Sequence, residues 1–167
     1  MRPCASGGPL RNERMNHPHA GPGSLLELAR RMIAGDVDAP PIAHTIGFLM
    51  TAIGDGTARF EMDTSPERHA NPMGTLHGGV LCDLADGAMG MAFASTLADG
   101  ESFTTLELKI NYLKPVWRTH LTADARVVRR GRDVGFIECD VVAADGSLVA
   151  RSSSTCLVLR GEKAAGR

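Results

Sequence analysis

Asn71-Pro72-Met73-Gly74-Thr75-Leu76-His77-Gly78-Gly79-Val80-Leu81-Cys82-Asp83-Leu84-Ala85-Asp86 is the stretch on which the fold turns. It opens as a turn, at Asn-Pro and Met-Gly, and passes through His-Gly-Gly into an apolar run. Val80, Leu81, Leu84, Ala85, Ala88, Met89, Met91, Ala92 and Phe93 leave no broad polar face, so residues 78–97 read as a buried helix. Gly87, Gly90 and the alanines keep that helix thin, which lets other elements pack closely around it. A glycine pair at a helix start offers bare backbone N–H groups to an anion. A carboxylate eight residues past Gly78, Asp86, is costly on such a helix unless it has a task. Together these features point to chemistry at a carbonyl.

The flanks supply what buries the helix. Two extended runs precede it, residues 45–53 and 57–63, joined by Gly54-Asp55-Gly56 as a hairpin turn. A loop over 64–76 carries Pro66 and Pro72. Four more extended runs follow, at 102–112, 121–130, 134–143 and 148–159, with turns at Gly131-Arg132-Asp133 and Asp145-Gly146. In the first of these, Leu106, Leu108, Ile110 and Tyr112 alternate with Thr105, Glu107, Lys109 and Asn111, giving a sheet with two unlike faces. Pro115 suits the strand's end. Residues 24–34 read as a helix with a Ser24/Glu27 capping box, an apolar stripe of Leu25, Leu28, Ala29, Met32 and Ile33, and Gly35 at its exit. The predicted class is α+β, a six-stranded antiparallel sheet wrapped around one long helix, with a short N-terminal helix in front.

The 167 residues suffice for one domain with a real core. The expected division is a disordered leader over 1–23, the domain over 24–160 and a disordered tail over 161–167. The leader is rich in Gly, Pro, Arg and Asn and has no apolar signal region, and Met15 is an alternative start. With 18 basic and 19 acidic residues the formal charge is −1, which argues against nucleic acid or a membrane surface as partner. No apolar run is long enough for a membrane span. Cys4, Cys82, Cys139 and Cys156 form no C-x-x-C pair and read as reduced thiols, so a cytoplasmic location is expected. The histidines lack ligand spacing, and no metal is expected. P-loop, dinucleotide and G-x-S-x-G motifs are absent, so neither a nucleotide cofactor nor a serine triad is expected.

Asn71, His77-Gly78-Gly79 and Leu84-Ala85-Asp86 together resemble the signature of hotdog-fold acyl-CoA thioesterases. The likeness is greatest to the phenylacetate-pathway and 4-hydroxybenzoyl-CoA thioesterase branch. The run from Leu106 to Pro115 is similar to that branch's third strand, and Arg130-Gly131-Arg132 to its hairpin. The resemblance spans about residues 42–159. It implies hydrolysis of an aryl- or medium-chain acyl-CoA, with coenzyme A as part of the substrate and no separate cofactor.

The resemblance places the acid at Asp86, with Asp83 one turn earlier left as structural. Ionised at neutral pH, such a carboxylate can serve as base or nucleophile. The Gly78 N–H would hold the oxyanion, although the turn into the helix alone would also call for glycine. Asn71 would orient the thioester or a water, against a plain Asn-Pro turn role. His77 is a hydrogen-bonding helper or a cap. Thr105 falls at the family's Ser/Thr position and could hold the attacking water, or is simply a strand former. Gly79 and the arginines Arg129, Arg130 and Arg132 are candidates for substrate binding, the arginines for coenzyme A phosphates; a solvated hairpin tip is the plainer account of them.

Geometry adds a constraint. Eight helical residues rise about 12 Å, too far for Gly78 and Asp86 of one helix to serve one carbonyl. Either the helix unwinds or the two groups come from different chains. In the resembling family two subunits pair and share each site, which implies a homodimer, paired further into a dimer of dimers. Asn71, His77 and Gly78 of one chain would then face Asp86 and Thr105 of the other. Two rival functions share the fold: a non-catalytic acyl-CoA sensor, and an acyl hydratase or dehydratase. The Gly-Asp pair that should precede Asn-Pro in the hydratase motif is His69-Ala70 here, and no effector segment for a sensor is evident.

Overall fold

Period-two alternation and a single apolar helix account for most of the architecture. A computed structural model describes residues 25–165; the expected leader, Cys4, Met15, the Ser24 cap and the last two residues lie outside the described residues. In chain order the elements are α1 (Leu25–Ala34), α2 (Pro41–Ile46), β1 (Phe48–Gly54), β2 (Thr57–Asp63), α3 (Pro66–His69), α4 (Gly78–Ala94), β3 (Ser102–Tyr112), β4 (His120–Arg130), β5 (Val134–Ala143) and β6 (Leu148–Leu159). The predicted tail begins with a 3-10 turn, Gly161–Lys163.

The six strands form one sheet in the order β1-β2-β4-β5-β6-β3, every neighbour antiparallel. Helix α4 lies across one face. Its Leu81, Leu84, Ala85, Ala88, Met89, Ala92 and Phe93 are buried against Phe60, Leu121, Ala123, Ile137, Val141 and Cys156 of the strands. Each large apolar side chain buried in this way contributes about 1.5–3 kcal/mol. Gly135 of β5 sits beneath the Phe93 ring, so close that a Cβ there would overlap it. The Phe103 ring meets Phe93 edge-on at 5.7 Å. On the opposite face the sheet carries cross-strand ion pairs, Arg59–Asp124, Arg126–Glu138 and Asp140–Arg151. These are solvated pairs worth little individually, but they keep that face wet while the α4 face is dry.

Three boundaries differ from the sequence expectation. The first strand begins at Phe48, not 45, because residues 41–46 coil into α2. Pro41 presets the helical φ at its start, Thr45 Oγ1 donates to the Pro41 carbonyl, and Gly47 closes the helix at φ 92°. Within the expected 64–76 loop, Pro66–His69 forms one helical turn. Helix α4 stops at Ala94, three residues early. There Ser95 Oγ donates to the Ala92 carbonyl and Thr96 Oγ1 to the Phe93 carbonyl, hydroxyl bonds that compete with continued helix.

Of the four register shifts in the sheet, those in β3 and β4 bear on the candidate site residues. In β3 the register shifts between Thr105 and Glu107, turning Leu106 outward, where it is 56% exposed. In β4 the shift falls between Val127 and Arg129. Each extra residue flips the alternation beyond it.

Candidate active site

The glycine end of α4 is built on a buried histidine. His69 is 6% exposed; its Nδ1 accepts from the Ser65 N–H and its Nε2 lies 3.0 Å from the Ile46 carbonyl. The first bond fixes the tautomer, so Nε2–H donates to Ile46. The His69 carbonyl in turn accepts from the His77 N–H at 2.8 Å, and the Val116 carbonyl from Leu76 N–H. Between these anchors Asn71 closes the turn: its Oδ1 accepts from Met73 N–H and its Nδ2 donates to Thr75 Oγ1. Both polar atoms of the Asn71 amide are therefore engaged within the turn.

His77 is the N-cap of α4. Its Nδ1 accepts from the Gly79 N–H at 2.9 Å, which leaves Nε2 as the ring's donor. Gly79, a candidate for substrate binding, gives its N–H to this cap. Among the described residues the Gly78 N–H has no acceptor. Tyr112, at the far end of β3, lies against that turn. Its hydroxyl donates to the Gly78 carbonyl at 3.1 Å and lies 3.2 Å from Cys82 Sγ. A Cβ on residue 78 would come within 2.9 Å of the phenol ring, so glycine is needed there for packing as well as for access. The Cys82 contact and burial push the Tyr112 hydroxyl up to about 12, so it remains a donor through the neutral range. Asn71, Gly78 and Tyr112 line one open groove of about 400 Å³, with Leu81 and Lys114 further along. Tyr112 and Cys82 were not singled out from sequence. The signal available was that Tyr112 is the chain's one tyrosine, on the strand's α4 face.

The acid end lies two turns on. Asp86 retains a solvent-open face but is flanked by β3, and Thr105 Oγ1 makes a long contact with its Oδ1 at 3.5 Å. Burial raises the carboxyl above the ordinary aspartate range; the Thr105 contact opposes that and the nearby Asp83 charge adds to it. Asp83 is itself raised by burial, and no side-chain partner holds it among the described residues. Behind Thr105, fully buried Cys156 closes the site, its Sγ 3.9 Å from Thr105 Oγ1. The β3 bulge falls directly after Thr105 and fixes which way that hydroxyl points.

The structure thus gathers Asn71, His77 and Gly78 at one end of the helix and Asp86 with Thr105 at another. The arginines belong to neither end. Arg130 folds inward: it pairs with Glu101 at 3.1 Å, lies 5.2 Å over the Phe93 ring and donates to the Gly131 and Arg132 carbonyls. Glu101 also holds Arg160 at 2.8 Å. Arg130 thus serves as a structural tie between the hairpin, Glu101 and the Phe93 ring. Arg129 and Arg132 have exposed side chains on the hairpin.

Six antiparallel strands around a central helix, with a bare helix start and an acid on its exposed flank, define the hotdog class. The thioesterase superfamily model matches residues 73–150. A protein of Halobacterium salinarum described as a candidate esterase is 33% identical over 118 residues, covering 68% of this chain and 78% of its own. Human acyl-coenzyme A thioesterase 13 is 27% identical over 135 residues, covering 79% and 95%. Among solved structures, a phenylacetic acid degradation-related candidate thioesterase from Ralstonia eutropha JMP134 superposes with TM-score 0.70 at 32% identity, covering 77% of this chain and 98% of the other. The chain belongs to the thioesterase superfamily and is a thioester hydrolase of the hotdog fold.

Proposed function

We propose that the protein hydrolyses acyl-CoA to a free acid and CoA-SH at a site shared by two copies of the chain. The observation that carries this reading is the Asp86 carboxyl, raised by burial and met by Thr105, on the flank of a helix whose start offers a free Gly78 N–H. Asp86 takes the proton from the attacking water and gives it to the departing thiolate as the C–S bond breaks; if Asp86 attacks the carbonyl itself, the C–S bond breaks to leave a mixed anhydride, which water then hydrolyses to the free acid while its proton goes to the CoA thiolate. The Gly78 N–H, at the positive end of α4, stabilises the oxyanion.

The rise of about 12 Å between Gly78 and Asp86 supports sharing across a homodimer, and α4 is continuous from Gly78 to Ala94, so unwinding does not bridge the gap. Strand β3 is a sheet edge, and Leu106, Tyr112 and Leu113 on and after it are each more than half exposed. That suits pairing with a second copy; a dimer of dimers is the further assembly we expect. Reduced Cys82, Cys139 and Cys156 are in keeping with a cytoplasmic enzyme.

Asp86→Asn keeps the shape and removes the charge. We expect kcat for CoA-SH release to fall by at least about 10²-fold with the fold intact by circular dichroism. Wild-type turnover in that variant would sink the assignment.

A further inference from the structure

We propose that Tyr112 is a positioning residue for the hydrolysis: from the end of β3 its phenol clamps the Gly78 turn and so fixes the backbone N–H that meets the oxyanion. The inference rests on the thioesterase reading above and adds a residue to it. Two glycines in succession have the widest backbone freedom of any pair, so a donor at their start is preorganised only if something outside the pair holds it. The peptide unit between Gly78 and Gly79 is held at both ends. His77 Nδ1 accepts its N–H at 2.9 Å, and the Tyr112 hydroxyl donates to its carbonyl at 3.1 Å. The phenol also occupies the place of the missing side chain. Its Cζ and Oη each lie 2.9 Å from where a Cβ on residue 78 would stand, and its Cε1 lies 3.1 Å away. Hydrogen bond and ring contact together leave the turn little room to rock, while the Gly78 N–H stays unpaired among the described residues. Asn71 cannot take over this task, because both polar atoms of its amide are spent within its own turn.

The clamp is itself anchored. Tyr112 pairs with Ala150 of β6, and the Leu113 N–H donates to the Val149 carbonyl at 2.9 Å, so the backbone of Tyr112 moves only with the sheet. The hydroxyl proton is committed to Gly78. At the 3.2 Å contact with Cys82 Sγ the thiol is therefore the donor and the phenol oxygen the acceptor. The run from Cys82 through Tyr112 to Gly78 fixes the hydroxyl rotor and ties the second turn of α4 to its start. It also sets what the phenol does. A proton already given to a carbonyl is not free for the leaving thiolate, and the Cys82 contact and burial push the hydroxyl up to about 12. Tyr112 thus acts through Gly78 and not on the reacting atoms.

The test is CoA-SH release from octanoyl- and phenylacetyl-CoA by the full chain and by its Tyr112→Phe variant, which keeps the ring and loses the hydroxyl. Expected are a fall in kcat of about tenfold with both substrates and a KM within about twofold of wild type. Amide exchange at Gly79, followed by NMR, should quicken about tenfold as the peptide unit loosens. Cys82→Ala, which removes the thiol from the phenol oxygen, should lower kcat about threefold, and adding it to Tyr112→Phe should cost nothing more. A tyrosine that merely packs would not couple to Cys82 in that way. Cys82→Ala carries the same readouts if Tyr112→Phe fails to fold. An unchanged kcat in folded Tyr112→Phe, a loss confined to KM, or Gly79 exchange at the wild-type rate overturns the proposal while leaving the hydrolase reading intact. If the wild type releases CoA-SH from neither substrate, the hydrolase reading fails. Gly79 exchange then decides the clamp: quickened in Tyr112→Phe it stands, unchanged it falls.

Discussion

At Asp86 two effects compete, and their signs can be read separately. Burial lifts the carboxyl, Thr105 draws it back, and Asp83 pushes it further up. The ionised form is the one that takes a proton or attacks, so activity should fall as pH drops, on a limb above the ordinary aspartate value of about 3.9. Thr105→Val removes the opposing contact and should move that limb upward. Asp83→Asn removes the like charge and should move it downward. A kcat profile whose limb is indifferent to both changes would separate it from Asp86. The same shift has a stability sign. A folded pKa above the unfolded one means the native state binds more protons between the two. That stabilisation is present below the unfolded value and lost as pH rises through the folded one. Asp86→Asn should therefore melt higher than wild type at neutral pH, with the gap narrowing in acid, while being the less active protein.

Elements show where local chemistry outranks pattern. Gly135, the second residue of β5, is paired on both sides, a place where glycine ordinarily weakens a sheet, and the Phe93 ring of α4 rests on it. Gly135→Ala should destabilise the fold by about 1–3 kcal/mol through overpacking, and Phe93→Leu in the same chain should restore part of the loss in urea unfolding. Gly135→Ala with unchanged stability would mean that α4 rides free of the sheet. The strands themselves were legible by alternation, and α4 by its unbroken apolar run. Helix α2 was not, because six residues ending in β-branched Thr45-Ile46 look extended and only Pro41 and Gly47 mark a helix. The bulges were invisible too. Odd positions from Leu121 to Val127 face α4, and the shift before Arg129 turns the even-numbered Arg130 inward to Glu101 and Phe93. Sequence treats Arg129, Arg130 and Arg132 alike; one inserted residue in the strand tells them apart. In the same way the contact of Thr105 with Asp86 spans 19 positions and depends on the bulge at Leu106, so sequence spacing alone does not show it.

For the whole molecule the question is which Gly78 works with which Asp86. The two sheet edges are unlike: α1 packs on β1, while the outer side of β3 has no strand beside it among the described residues. An open eleven-residue edge with outward Leu106 invites pairing. A twofold axis there would make the contact isologous, bringing each chain's helix start toward the other's acid. The arrangement makes mixed dimers informative. Gly78→Val, which blocks the oxyanion end, and Asp86→Asn, which removes the acid, should each be inactive alone. In a heterodimer of the two, one site carries both lesions, but the other joins the intact Gly78 of the Asp86→Asn chain to the intact Asp86 of the Gly78→Val chain. Co-expression with two affinity tags isolates that species. It should regain about half the wild-type turnover per dimer, following from one intact site in two. If both groups of a site came from one chain, every site in the mixed dimer would carry a lesion and no turnover would return.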